Sequence, residues 1–188
     1  MTVAKLAKEY KEVTAIVLFI VGWMFTYFHK RKVDTRNASL DRVNAQLRQL
    51  YGPLYAHLHS INAAWNAFVE NFWPEHGQAG YFAHGHVTTE EEKERWRHWM
   101  TEVFHPANME VKRLIIDNMD LMEEDTVPQV FLDTLAHVEV YQSVVKQWEK
   151  GDFSHHTSIL NYPDRELMEV VEETFFKLRQ RQQELIHK

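Results

Sequence analysis

Sixteen consecutive residues without a charge, 13–28 (VTAIVLFIVGWMFTYF), constrain this chain more than any other feature. As a helix they rise about 24 Å, a little short of a hydrocarbon core of about 30 Å. Lys11 and Glu12 before the run, and HKRK at 29–32 after it, are long or polar enough to reach the interfaces and make up the difference. Trp23, Tyr27 and Phe28 lie toward the end of the run, where an aromatic belt forms. A cleaved signal peptide needs small residues after its apolar stretch, and HKRK stands there instead. The expectation is a single-pass anchor in residues 1–33, spanning 13–28, followed by one domain in residues 34–188. Lys5, Lys8 and Lys11 precede the span, whereas Lys30, Arg31, Lys32, Arg36 and Arg42 follow it. That bias places the domain on the cytoplasmic side of the inner membrane.

The rest of the chain is short of turn formers, with 6 Gly and 5 Pro in 188 residues, which favours long helices over strands. It has no cysteine, so disulfides, thiolate zinc sites and cysteine nucleophiles are excluded. Residues 1–32 carry six Lys/Arg against two Glu, a net of +4; the chain's total of −6 therefore leaves −10 on residues 33–188. A domain so acidic, with no basic run after Arg36, is not expected to bind nucleic acid.

Apolar residues recur at spacings of three and four from Leu40 through Val43, Leu47, Leu50, Leu54, Leu58, Ile61, Trp65 and Phe68 to Phe72, the stripe of one long helix. DTRNAS at 34–39 reads as a polar break before it, and Gly52-Pro53 predicts a kink inside it. Residues 74–88 read as a loop, after which Thr89 and Glu92 form a capping-box signature. The next helix carries Trp96, Trp99, Val103, Leu114 and Ile115, with a kink at Pro106; an acidic turn follows at 118–126. A third helix opens at Pro128 and stops at Gly151, burying Phe131, Leu135, Val138, Val145 and Trp148. A fourth opens near Pro163-Asp164 and buries Leu167, Val171, Phe175, Leu178 and Leu185. The fold class is all-α: an N-terminal transmembrane helix, then an up-down four-helix bundle.

Three patterns invite chemistry. Glu102/His105 and Glu184/His187 are Glu-x-x-His pairs, and Glu70 and Glu139 lie on the other two helices, the helix order of di-iron carboxylate proteins. In an up-down bundle, however, those four carboxylates spread over about 26 Å of axis, too far for one site. His76, His84 and His86 fall in the first interhelical loop, and His155 and His156 in the third; the up-down order brings those loops to one end, as candidate metal ligands or pH sensors. Arg181 and His187 form an Arg-x5-His pattern on the last helix, a catalytic candidate that ends on the penultimate residue.

LRQLYGPLYAHLHSINAAWNAF (47–68), WRHWMTEVFHPAN (96–108) and WEKGDFSHHTS (148–158) resemble a group of uncharacterised bacterial single-pass membrane proteins with an LYGPLYA-type helical segment. That resemblance implies architecture and carries no activity. The Arg181/His187 spacing is similar to the pattern of HEPN ribonucleases, helical bundles that pair Arg and His across a dimer. Size and layout also resemble the membrane-anchored, HEPN-like accessory proteins of type VI CRISPR systems. The expected function is a membrane-anchored oligomerisation, scaffold or pore-type protein without enzymatic activity. Its expected partners are the lipid bilayer and either further copies of itself or a larger membrane assembly, and no cofactor is expected. The alternative is a HEPN-like, defence-associated effector at the membrane.

Overall fold

The computed structural model describes residues 3–73, 81–82, 87–123 and 126–187, with side chains from residue 17 onward. Four long helices account for nearly all of it, and there is no strand among the described residues. Helix α1 is continuous through three segments: an α-helix Val3–Ala45, a π-helical turn Gln46–Tyr51 and an α-helix Gly52–Phe72. Helix α2 repeats that construction, with α-helix Glu90–Trp99, π-turn Met100–Phe104 and α-helix His105–Asp117. Helices α3 (Gln129–Glu149) and α4 (Asp164–His187) are regular.

The polar break expected at 34–39 is not a break. None of those residues is Gly or Pro, and the hydroxyls of Thr35 and Ser39 donate to the carbonyls of Arg31 and Thr35, each at 2.9 Å. Bonded back to the preceding turn, they are not available to cap a new helix start. The N-terminal apolar segment and the first bundle helix are therefore one rod.

The expected kinks resolve into π-turns, each ending two residues before a proline. Pro53 and Pro106 lack an N–H, and their rings would press on the carbonyl four residues back. Widening the preceding turn relieves both problems: the Gly52 N–H reaches Leu47 O and the His105 N–H reaches Met100 O, five residues back in each case. Other boundaries follow local chemistry. Thr89 and Glu92 close the capping box, with Glu92 N to Thr89 Oγ1 at 3.2 Å and Thr89 N to Glu92 Oε2 at 2.7 Å. Pro128 is the residue before α3, and α3 stops at Gly151, whose φ of 77° is open to glycine and whose N–H donates to Trp148 O at 2.9 Å.

Neighbouring helices run antiparallel. Gln46, midway along α1, donates to Leu121 O at 2.9 Å just after α2 ends, while Phe68 meets Trp99 near the start of α2. Lys112 on α2 pairs with Glu139 on α3. Along α4, His59 bonds Glu172 at 2.8 Å and Asn44 accepts from Gln182 at 2.6 Å. The core has two lobes. An aliphatic lobe holds Val43, Leu50, Leu54, Leu58, Val111, Ile115, Phe131, Leu167, Val171 and Leu178. An aromatic lobe at the other end holds Phe68, Tyr81, Phe104, Tyr141 and Trp148, with Trp65, Trp73, Trp96 and Trp99 packed on it. The whole 40–72 stripe is buried or half-buried within the chain.

Candidate functional site

The least ordinary surface is the N-terminal part of α1. Between residues 17 and 28, ten large apolar side chains, from Val17 to Phe28, are 45–76% exposed. They point in every direction around the helix, so no rotation of α1 could bury them against its own bundle. Their contacts are local ones, such as Trp23 stacked on Tyr27 at 5.6 Å and Phe25 on His29 at 6.4 Å. At Gly22 an added Cβ would meet nothing within 4 Å. A basic collar, Lys30, Arg31, Lys32 and Arg36, follows within about two turns. Of the expected span, the side chains of residues 13–16 lie outside the described residues. Among the described residues, no helix is long and apolar enough to cross a membrane.

At the opposite end, the loops before α2 and before α4 meet, as the up-down order requires: the rings of Phe82 and His156 lie 5.0 Å apart. His76, His84 and His86 fall outside the described residues. The other two candidate ligands have different surroundings. The exposed His155 faces Ser154 Oγ at 3.0 Å, and His156 sits with Nε2 3.2 Å from Arg97. Burial, then the Arg97 and Lys93 charges, hold the His156 imidazole below its ordinary value, disfavouring the cation. Among the described residues no group of three His, Asp or Glu side chains is placed to hold a metal.

What fastens this loop is its backbone. Trp148 Nε1 donates to His155 O at 2.7 Å, and Trp96 Nε1 and Tyr141 Oη donate to His156 O at 2.9 and 3.0 Å. His137 Nδ1 bonds Leu160 O at 2.7 Å; because a carbonyl only accepts, Nδ1 carries the proton. Ring N–H and O–H groups from α2 and α3 thus converge on carbonyls of one loop. His137 belongs to a buried polar strip that includes His105, Asn108, Thr134 and Tyr141. Burial pushes both imidazoles below their ordinary value, and for His105 the His137 and Lys112 charges add to the effect. Sequence reasoning missed this strip, although its signal was present: Thr134, His137 and Tyr141 recur at spacings of three and four beside the apolar stripe.

Arg181 and His187 are exposed on the last turns of α4; Arg181 lies 3.8 Å from Glu123 Oε1. Glu70, Glu102, Glu139 and Glu184 are likewise exposed, facing no shared interior. By fold, the chain is an antiparallel four-helix bundle whose first helix continues well beyond the bundle as an apolar rod. No family model matches it, and no curated protein or solved structure shows significant similarity.

Proposed function

We propose that this protein is a membrane-anchored helical scaffold, held in the bilayer by the N-terminal part of α1 with its bundle on the cytoplasmic side. One observation carries the reading: the helix of residues 17–28 is apolar on every face and uncovered by its own chain. Such a helix needs an apolar medium around it. The twelve described residues rise only about 18 Å, and the reading adds the uncharged residues 13–16 to reach the interface. Because α1 runs unbroken from this segment into the bundle, the orientation of the anchor in the bilayer is transmitted to the whole domain. Assembly with further copies, or within a larger membrane complex, is proposed to run through this segment, since the 40–72 stripe is already covered inside the chain. The HEPN-like alternative gains no support from the placement of Arg181 and His187.

Replacing Ile20 and Val21 together by Arg tests the anchor. On insertion scales each charge at mid-span costs about 2.5–3.5 kcal/mol. Wild-type protein should remain in the membrane pellet after a carbonate wash, and the double variant should be released. Release of the wild type, or full retention of the variant, overturns the reading. Sizing of the solubilised protein in detergent then separates a single-chain anchor from an assembly.

A further inference from the structure

We infer that the collar where α1 leaves its apolar segment is a binding site for the phosphate of an anionic phospholipid, an inference that rests on the anchoring reading. An open groove of about 560 Å³ lies between α1 and the end of α4. Phe28 and Leu185 form its apolar walls, and Arg31, Lys32 and Arg36 supply its charge. Residues 28, 31, 32, 35, 36 and 39 fall on one face of the helix, so groove and charge coincide. Thr35 and Ser39 also line it, but their protons are committed to backbone carbonyls, so the guanidinium and ammonium groups are the donors.

Two observations point to an anion. The Arg36 Nε is shut off from solvent and has no hydrogen-bond partner, a donor state that calls for an acceptor. Moreover, among the described residues no carboxylate pairs with Lys30, Arg31, Lys32 or Arg36, so the four charges gathered here are open to an anion. Asp34 is the only carboxylate of α1 between Glu12 and Asp41. The groove is also graded along the helix: Phe28 continues the exposed apolar segment, and the arginines begin within the next turn. An amphiphile fits that gradient, with its chain along Phe28 and its phosphate on Arg31 and Arg36. A phosphate free in solution would use the charges and leave the apolar wall idle. Arginine suits the task because its planar fork meets phosphate oxygens two at a time.

The test is native mass spectrometry of the full chain in detergent with equimolar phosphatidylglycerol and phosphatidylcholine. Wild type should retain phosphatidylglycerol preferentially. Each basic residue near an anionic surface contributes about fivefold, so R31Q/R36Q should lose the preference by about 25-fold. R31K/R36K, which keeps the charge, should retain most of it. R48Q/R179Q, which removes the same charge from the smaller groove nearby, should be unaffected. Equal retention of the two lipids by wild type, or an unchanged preference in R31Q/R36Q, overturns the site. Displacement of the lipid by millimolar inorganic phosphate would assign the groove to a free anion instead and overturn the lipid source. Carbonate extraction of the same variants is read in parallel: release of wild type removes the anchor, while the lipid preference in detergent stands or falls separately.

Discussion

Three imidazoles, those of His105, His137 and His156, sit where a positive charge is penalised. His105 and His137 are only 9% and 8% exposed, and His156 lies against the Arg97 guanidinium. Each is held below the ordinary value of 6.5, by burial first in every case. In the unfolded chain the same groups take up protons as the pH falls through about 6.5, while the folded chain resists. Stability is therefore whole above that value and is lost as the pH drops toward the lower, folded values. The carboxylates Glu90, Glu110, Glu139 and Asp152, held low by their donors, weaken the fold in the same direction, but only in more acid solution. The melting temperature should thus fall between about pH 7.5 and about pH 5.5, a window in which histidine is the side chain that titrates. His137→Gln should lower stability overall, by loss of its bond to Leu160 O, and make that fall shallower. A melting temperature flat across the window, or an unchanged slope in the variant, would contradict the buried state of these rings.

At the scale of elements, the π-turns are the most demanding features. Gly52 shows why: a Cβ there would stand 2.3 Å from Leu47 O, a backbone atom held by the turn itself. Glycine to alanine within a helix ordinarily stabilises by about 0.5–1 kcal/mol. Here the sign should reverse, with Gly52→Ala costing about 1–3 kcal/mol, as overpacking does, and lowering the melting temperature by several degrees. A stabilised variant would show that the turn is an ordinary α-helical one. The same region shows what the sequence reveals and what it hides. Leu40 to Phe72 is legible because a helix face is set by spacing, and the capping box at Thr89 and the stop at Gly151 because each is a local bond or a local φ. The break expected at 34–39 misread Thr35 and Ser39, since hydroxyls that cap a helix start can equally bond back inside a helix, and only the surrounding chain decides. The prolines signalled a disturbance, but not that it would be absorbed as one widened turn.

Taken whole, the molecule has two unlike ends. One projects an apolar rod with a basic collar; the other closes over an aromatic lobe. The first was legible, because charge-free length and flanking Lys/Arg are properties of the chain itself. The second was legible only as a meeting of loops. His155 and His156 drew attention as side chains, yet it is their carbonyls that Trp148, Trp96 and Tyr141 hold, and no pattern of residue types announces which backbone atoms will accept. That closure offers a direct test of the topology in a chain with no cysteine of its own. Phe82 and His156 are 74 residues apart in sequence, and their rings lie 5.0 Å apart only because the first and third loops emerge at the same end. With Phe82→Cys and His156→Cys in one chain, a short bifunctional maleimide should link them efficiently within a single subunit. Phe82→Cys with Met119→Cys places the second thiol beyond the far end of α2, whose 28 residues from Glu90 to Asp117 span about 42 Å. That pair should stay unlinked. Linkage of 82 to 119 with none of 82 to 156 would reverse the order of the helices and separate the loop carbonyls from the indoles that hold them.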